Sequence, residues 1–420
     1  MLDIRLLREN PDLVKEALAK KNDKTDIDKI LNLDNKRREI IREVEKLKSE
    51  RNQASADIAK KKKAGESAED AITAMRKVGD KITELDNKLR ETDEEIRNLL
   101  VWLPNIPHES VPVGDETQNE TIKEWGEIKK PDFKILPHWE IGEKLGILDI
   151  ESGTKISGSG FYMLKGLGAK LNRALINFML DTHTDSGFLE IAAPFLVLED
   201  TMFGTGQLPK LEEDMYKTTE DNMYLIPTAE VSITNKYKKQ IIDYKELPIS
   251  MVGYSPCFRR EAGAAGKDTR GMLRVHQFDK VEMVKIVKPE TSYDELEKLL
   301  SQAEKIIQAM EIPYRVATLA SGDLSFAAAK CYDIEIWSAG VERYLEVSSV
   351  SNFEDFQARR MNCRFRDEEK KVTNPHTLNG SGVALPRLLA AIMENHQNED
   401  GTISIPKVLK PYMGGLDKIG

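Results

Sequence analysis

Apolar residues between positions 26 and 100 follow one another three or four residues apart, interrupted by a lysine-rich segment at residues 60–65. This spacing is typical of helices that pack through a heptad seam. We therefore predict an antiparallel coiled-coil hairpin. Each helix would run for roughly 35 residues, or about 50 Å, so the hairpin is expected to project as an arm.

From residue 252 to residue 287 the pattern changes to period two. Val252, Tyr254 and Phe258 alternate with polar or small residues, and Val281 and Met283 do so again. Alternation predicts strands, and a glycine-rich charged segment between them predicts a loop. The loop carries Gly263, Gly266, Lys267, Asp268, Arg270 and Gly271. We predict a long-looped antiparallel hairpin.

Further apolar patterns place other elements along the chain. Residues 171–186 and 292–310 have helical spacing, and the second of these helices should cover a sheet. Residues 332–337 and 344–349 alternate as strands. Neither a G-x-G-x-x-G nor a P-loop signature occurs, which argues against a Rossmann-type nucleotide site.

Prolines and glycines concentrate between residues 103 and 131. Such residues break regular structure and are typical of a connector between domains. We place the boundary near residue 104, with an N-terminal domain at residues 1–103 and a second domain at residues 104–420.

Composition narrows the class of protein. The 420 residues carry a net charge of −9, and no apolar run is long enough to span a membrane. The N-terminus lacks the apolar core of a signal peptide. Cys257, Cys331 and Cys363 are too widely spaced for a disulfide framework or a C-x-x-C metal site. We predict a cytoplasmic protein without membrane contact.

Charge is distributed unevenly along the predicted arm. Residues 27–63 hold 12 lysines and arginines against 7 acidic residues, and the excess gathers near the tip. A basic arm on an acidic protein indicates contact with a nucleic-acid backbone. The alternative is a solvated coiled-coil surface, since such faces are normally charged.

The predicted hairpin carries charged residues on or near its strands: Arg259, Arg260, Glu261, Arg274 and Glu282. Arginine suits phosphate or carboxylate, and glutamate can accept hydrogen bonds from an amine. Together they indicate a ligand with anionic and cationic parts. The alternative is an ordinary hairpin with solvated cross-strand ion pairs.

Two further stretches offer polar groups to a ligand. Thr228, Ala229 and Glu230 form a short turn that could hold an amine, although Thr228 is equally suited to cap a helix. Glu346 lies on a predicted strand with other acids that could simply face solvent. Near the arginines, its carboxylate could instead bind Mg²⁺.

Several segments resemble the class II aminoacyl-tRNA synthetases, and seryl-tRNA synthetases in particular. The segment from Phe258 to Glu282, FRREAGAAGKDTRGMLRVHQFDKVE, is similar to motif 2 of that family. Residues 187–194 resemble motif 1, residues 378–387 resemble motif 3, and the connector near residue 104 is also similar. Pro386 and Val350 depart from the residues expected there.

The resemblance implies an α+β fold, in which a helical arm joins a catalytic domain built on an antiparallel sheet flanked by helices. It also implies roles for individual residues. Arg259, Glu346 and Arg387 would be catalytic. The serine-binding residues would be Thr228, Ala229, Glu230, Glu282 and Ser381. The ATP-binding residues would be Arg259, Arg260, Glu261, Val275, Phe278, Glu346, Val347, Ser348, Ser349 and Arg387.

The family resemblance implies ATP, serine, tRNA(Ser) and also tRNA(Sec) as substrates. It implies a homodimer through motif 1, and Mg²⁺ held with ATP by Glu346 and Ser349, without zinc. Two other interpretations stay open on the sequence. One is a class II enzyme or relative that activates another small amino acid, for example to load a carrier protein. The other is a nonenzymatic RNA-binding or coiled-coil scaffold.

Overall fold

The computed structural model describes residues 1–262 and 270–420. The predicted loop residues Gly263, Gly266, Lys267 and Asp268 lie outside the described residues. The chain divides into two compact units, Met1–Pro104 and Asn105–Gly420.

The first unit is helical in its described residues. Its helices are α1 (Ile4–Glu9), α2 (Pro11–Lys20), α3 (Ile27–Lys63) and α4 (Glu69–Leu100). α3 and α4 are the predicted arm. Ile40, Val44 and Leu85 form a buried cluster between them, which confirms the heptad pattern. Asp34 of α3 is also buried, and its carboxylate pairs with Arg8 Nε of α1 at 2.8 Å.

The second unit combines helices and strands. Its helices are α5 (His138–Lys144), α6 (Ile150–Ser157), α7 (Gly166–Asp185), α8 (Glu199–Gly204), α9 (Ala229–Thr234), α10 (Ser292–Ala309), α11 (Phe356–Met361) and α12 (Leu385–Asn395). Its strands are β1 (Glu120–Trp125), β2 (Leu148–Asp149), β3 (Met163–Leu164), β4 (Leu189–Glu190), β5 (Leu196–Leu198), β6 (Met223–Leu225), β7 (Ile241–Asp243), β8 (Ile249–Phe258), β9 (Gln277–Val287), β10 (Tyr314–Thr318), β11 (Lys330–Ser338), β12 (Arg343–Asn352), β13 (Arg364–Arg366), β14 (Val372–Thr373), β15 (His376–Ala384), β16 (Ile403–Ser404) and β17 (Lys418–Ile419).

One large sheet organises the second unit. Among the described residues it has eight strands in the order β1-β10-β11-β12-β15-β9-β8-β4. All neighbours pair antiparallel except β4, which runs parallel to β8 at the edge. α7, α10 and α12 pack their apolar faces on this sheet in one continuous core. The predicted fold class, a helical arm with an antiparallel sheet flanked by helices, is confirmed.

The predicted hairpin is the pair β8–β9, with Phe258 opposite Gln277. The strand predicted at residues 187–194 is shorter than expected. β4 covers only Leu189–Glu190, and the Ile191 N–H makes one more bond to the Val252 carbonyl oxygen at 2.8 Å. The segment then leaves the sheet before Pro194, which has no N–H to offer a ladder.

In the described ranges, residues 1–262 and 270–420, every helix is too short or too polar to cross a membrane.

Candidate active site

A cavity of about 1000 Å³ opens beside the central strands of the sheet. β9, β12 and β15 supply its floor, and the start of α12 supplies one wall. Most residues predicted to bind a ligand line it: Thr228, Glu230, Arg259, Glu261, Val275, Phe278, Glu346, Val347, Ser348, Ser349, Ser381 and Arg387. The fold thus collects residues from distant parts of the chain into one site.

Arg259 lies just beyond the end of β8. Its N–H donates to the His276 carbonyl oxygen at 2.9 Å, and its own carbonyl oxygen lies 3.0 Å from His276 Nδ1. Its guanidinium carbon lies 5.2 Å from the centre of the Phe278 ring. This backbone pairing extends the hairpin past the strand ends, so it holds Arg259 as firmly as a strand residue.

Arg387 stands at the first turn of α12. Its Nε donates to the Leu273 carbonyl oxygen at 3.1 Å, and its Nη1 donates to the Glu346 carbonyl oxygen at 2.5 Å. The Glu346 carboxylate lies 3.7 Å from Nη1. These contacts fix the plane of the guanidinium, which is suited to stack on an aromatic ring.

Glu261 occupies an unusual backbone conformation. Its φ is 52°, in the left-handed region that costs a non-glycine residue about 1–2 kcal/mol. Its Oε2 accepts a hydrogen bond from Arg274 Nη1 at 2.7 Å. Strain of this kind persists only where surrounding contacts over-determine it, and it concentrates at functional sites.

Glu282 is completely buried in the middle of β9. Its Oε2 accepts hydrogen bonds from the hydroxyls of Thr228 at 3.2 Å and Ser381 at 3.3 Å. The Lys280 ammonium lies 2.6 Å from the same oxygen. The other oxygen, Oε1, is buried without a partner among the described residues. An orphaned carboxylate oxygen just behind the cavity lining is suited to accept a hydrogen bond from an ammonium or hydroxyl group.

Glu230 is the second buried carboxylate at this end of the cavity. Burial, followed by the negative charge of Glu282, raises the pKa of Glu230 to about 7 from an ordinary value of 4.5. Gln357 Nε2 donates to its Oε1 at 2.7 Å. Thr228 caps α9, because its hydroxyl accepts from the Glu230 N–H at 3.3 Å. The capping and ligand-binding interpretations of Thr228 are therefore compatible, since the same hydroxyl also donates to Glu282.

The opposite end of the cavity has a hard-oxygen donor set. The Ser349 hydroxyl donates to Glu346 Oε1 at 3.1 Å. Burial, followed by the charge of Glu346, raises the pKa of Asp333 well above its usual range. Within residues 1–262 and 270–420, no three His, Cys, Asp or Glu side chains gather as a complete metal site. A carboxylate and a hydroxyl still fit Mg²⁺, which is commonly bound by one or two protein ligands together with substrate phosphates.

Three of the predicted residues are not among the described residues that line the cavity. Ala229 is buried in α9, and Glu282 is buried and bonded to the hydroxyls of the lining residues Thr228 and Ser381. Arg260 Nη1 donates to the Glu213 carbonyl oxygen at 3.1 Å. The side chain of Arg260 is therefore engaged with a neighbouring loop.

Sequence reasoning missed Lys280, Asp333 and Gln357. The alternation of β9 could have revealed Lys280, because it lies between Phe278 and Glu282 on the same face. Asp333 lies opposite Ser349 in the β11–β12 register. Gln357 has no such signal, because it reaches Glu230 from α11, 127 residues away.

The two ends of the cavity therefore differ in charge. Arg259 and Arg387 offer cationic groups suited to phosphate and to a stacked ring. The buried carboxyl groups of Glu230 and Glu282, next to Lys280, suit an ammonium group. The geometry matches a nucleotide at one end and an amino acid at the other.

Family models match both units of the chain. Residues 1–107 match the seryl-tRNA synthetase N-terminal domain. Residues 211–396 match the tRNA synthetase class II core domain (G, H, P, S and T).

Whole-chain relatives agree with the family models. The serine–tRNA ligase of Caldicellulosiruptor saccharolyticus is 55% identical over 416 residues, which cover 99% of each chain. That of Acetivibrio thermocellus is 53% identical over 422 residues, covering 100% of each.

Solved structures show the same similarity. Seryl-tRNA synthetase from Pyrococcus horikoshii, complexed with ATP, has a TM-score of 0.95 at 42% identity and covers 100% of this chain and 99% of its own. Cytoplasmic serine–tRNA ligase from Naegleria fowleri, in complex with AMP, has a TM-score of 0.90 at 34% identity, with 100% and 98% covered. The chain belongs to the serine–tRNA ligases, ATP-dependent enzymes of the class II aminoacyl-tRNA synthetases.

Proposed function

We propose that this enzyme joins serine to ATP as seryl-adenylate and then transfers the seryl group to tRNA(Ser). The observation that carries the proposal is the single cavity with arginines at one end and two buried glutamates at the other. A substrate pair with phosphates and an ammonium group would use both ends.

In the first step a serine carboxylate oxygen attacks the α-phosphorus of ATP. The bond from that phosphorus to the β-phosphate oxygen breaks, and pyrophosphate leaves. Such a reaction needs positioning and charge neutralisation more than a protein nucleophile. Arg259 would hold the α-phosphate and the serine carboxylate. Phe278 and Arg387 would enclose the adenine ring, while Glu261 and the main chain at Val275 would bind its edge.

Serine would bind at the glutamate end of the cavity. Glu230, Glu282 and Thr228 would hold the ammonium group, with Ala229 shaping the turn. The Ser381 hydroxyl donates to Glu282 and would orient the serine side chain. A site that hydrogen-bonds a substrate hydroxyl can reject the analogue that lacks it by on the order of 10⁴ to 10⁵.

Glu346 and Ser349 would hold Mg²⁺ together with the ATP phosphates, next to Val347 and Ser348. When bound, such an ion neutralises phosphate charge. Arg260 would contribute to the ATP site through its place in the loop at residues 259–262, because its side chain bonds to Glu213 instead.

In the second step a hydroxyl of the terminal adenosine of tRNA attacks the seryl carbonyl carbon, and AMP leaves. We assign tRNA binding to the domain at residues 1–103, whose helix α3 ends in Lys60, Lys61, Lys62 and Lys63. All four of these lysines are exposed, as contact with a phosphate backbone requires. The resemblance to seryl-tRNA synthetases implies that the enzyme would also charge tRNA(Sec).

The enzyme would act as a cytoplasmic homodimer. Leu189 on the edge strand β4 and Leu198 on β5 are 58% and 56% exposed, and such apolar surface is suited to contact a second copy of the chain. Light scattering should give twice the chain mass. Leu189→Asp with Leu198→Asp should give the monomer mass, and a monomeric parent enzyme would contradict this assignment.

The first experiment is ATP–pyrophosphate exchange with each of the twenty amino acids in the absence of tRNA. Exchange that depends on serine supports adenylate formation. Exchange with a different amino acid would overturn the assigned substrate, and no exchange with any would overturn the first step. Charging of purified tRNA(Ser) and tRNA(Sec) then tests the transfer step for each tRNA separately.

A further inference from the structure

One buried histidine outside the cavity connects to it through main-chain hydrogen bonds. His138 opens α5 and is completely buried, as is Glu394 in the last turn of α12. The His138 N–H and Nδ1 lie 3.0 and 2.8 Å from Glu394 Oε1. The other ring nitrogen, Nε2, accepts a hydrogen bond from the Met272 N–H at 3.0 Å.

Glu394 lies in a position that is locally unfavourable for a negative charge. An acidic residue at the C-terminal end of a helix opposes the helix dipole. Four donors compensate, because Oε2 also accepts from the Ser338 hydroxyl and from the Gly340 N–H at 3.0 Å. Burial acts to raise the pKa of Glu394, but the hydrogen bond from His138 and the other donors outweigh it, and the pKa is lowered. The carboxylate is therefore ionised, and it assigns the imidazole proton to Nδ1.

With its proton on Nδ1, the imidazole presents a lone pair at Nε2, which is what the Met272 N–H requires. The loop is seated closely against this nitrogen. Gly271 has a φ of +69°, and a Cβ atom there would lie 2.1 Å from His138 Nε2. A side chain at residue 271 is therefore excluded by both the backbone conformation and the imidazole.

Helix α12 also contacts Leu273, the residue after Met272, through Arg387 at the start of the helix. Arg387 and Glu394 are seven residues apart on α12, which places them two turns apart on one face. Arg387 Nε donates to the Leu273 carbonyl oxygen at 3.1 Å, while Glu394 acts through His138 on the Met272 N–H. The dipeptide Met272–Leu273 is thus held at both its N–H and its carbonyl group by α12.

We propose that His138 is a positioning residue, which sets where the returning end of the motif 2 loop sits against Arg387 and so shapes the ATP end of the cavity. This rests on the proposed function, since it assumes that Arg387 and Val275 bind the adenine ring. Serine binding should be largely independent of it, because Glu230, Glu282 and Thr228 make no direct contact with Met272 or Leu273 in the hydrogen bonds described above.

Two substitutions of His138 distinguish the hydrogen bond of its Nδ1 to Glu394 from the hydrogen bond that its Nε2 accepts from Met272. In His138→Asn the amide can replace the Nδ1 donor to Glu394 but leaves the Met272 N–H without an acceptor. In His138→Gln the amide oxygen can reach the Nε2 position and accept from Met272. ATP–pyrophosphate exchange with each full-length variant should show KM for ATP raised about tenfold in His138→Asn and within about threefold of the parent in His138→Gln. KM for serine should stay within about twofold in both.

A matched control is His396→Asn. His396 follows α12, and its Nε2 lies 2.8 Å from the Met310 carbonyl oxygen, away from the loop. This variant should lower the melting temperature without raising KM for ATP. If His138→Asn also lowers only the melting temperature, His138 merely supports the fold and the proposal is wrong.

A double-mutant cycle with Arg387→Lys tests whether the two contacts act on one dipeptide. The losses in kcat/KM for ATP should be strongly non-additive, since either change frees the same segment. Additive losses would overturn the proposal.

If His138→Asn does not fold, Glu394→Gln is the second variant, because it keeps the side-chain volume. It should raise KM for ATP alone, and an unchanged KM for ATP would overturn the proposal. A parent enzyme without serine-dependent exchange would instead count against the proposed function.

Discussion

Glu230 and Glu282 are both buried, and the charge of Lys280 acts on each of them. The Lys280 ammonium lies 2.6 Å from Glu282 Oε2. Burial, and then the negative charge of Glu282, raise the pKa of Glu230 to about 7. The Glu230 carboxyl group is therefore mainly neutral below about pH 7, and a substrate ammonium beside it would favour its ionised form.

This arrangement predicts a pH dependence of serine activation. Below pH 7 the raised pKa leaves Glu230 protonated, so kcat/KM for serine should rise with pH up to about 7 and then level off. Glu282, Lys280, Gln357 and Asn379 are the groups that face it. ATP–pyrophosphate exchange assays from about pH 5.5 to about 8.5 would measure kcat/KM for serine as a function of pH. Glu230→Gln should weaken serine binding and remove this rise, and a rise that persists in the variant would assign it to another group.

Arg259 carries the clearest prediction for catalysis. Arg259→Ala should reduce adenylate formation by about 10³-fold or more, because a preorganised cation at the phosphate is lost. Binding of tRNA, measured by filter retention, should be largely unchanged. Arg366→Ala is a matched control, since that guanidinium bonds to the Lys370 carbonyl oxygen on a different strand pair. A variant that loses tRNA binding but retains exchange would contradict the role of Arg259.

Two elements do most of the positioning. β9 presents Phe278, Lys280 and Glu282 on one face, so a single strand reaches from the nucleotide end of the cavity to the amino-acid end. α12 holds Arg387 at its start and Glu394 at its end, and both act on the loop before β9. Rigid elements place polar groups more accurately than loops do, which explains why a catalytic site is built on them.

The arm should behave as an independently packed element. Leu85→Ala removes a buried side chain from the seam with Ile40 and Val44, and should lower the free energy of unfolding of the arm by about 3 kcal/mol. Hydrogen exchange of α3 and α4 would measure it. Leu13→Ala is the control, since Leu13 is 49% exposed and should change stability by less than about 0.5 kcal/mol. ATP–pyrophosphate exchange activity should be unaffected in both variants. A loss of this activity in Leu85→Ala alone would show that the arm supports the catalytic unit.

At the scale of the whole molecule, adenylate formation should need only the second unit, whereas tRNA charging should need both units. Lys29 Nζ lies 3.3 Å from Glu95 Oε1, so the start of α3 and the end of α4 are close together. Replacing residues 27–100 with a short glycine–serine linker should therefore leave the rest of the chain joined.

The shortened enzyme should retain serine-dependent ATP–pyrophosphate exchange within about twofold. Charging of tRNA(Ser) should fall roughly a hundredfold or more, because the basic phosphate contacts of the arm are removed. The parent enzyme, assayed at the same salt concentration, is the reference for both reactions. Normal charging by the shortened enzyme would show that the arm is dispensable for tRNA.

Much of this architecture is determined by the sequence alone. Heptad spacing predicted α3 and α4, and period-two alternation predicted β8 and β9, because each element buries a face set by its own repeat. The motif residues at positions 258–282 and 378–387 likewise identified the family and most of the cavity lining.

Other features were decided only by the tertiary structure. Glu230 meets Gln357 across 127 residues, and His138 meets Met272 across 134. The raised pKa of Glu230 depends on burial and on the nearby Glu282, neither of which any local pattern contains. Local periodicity determines which face of an element is buried, but the charge and hydrogen bonding of a buried polar group depend on which distant groups the closed fold brings against it.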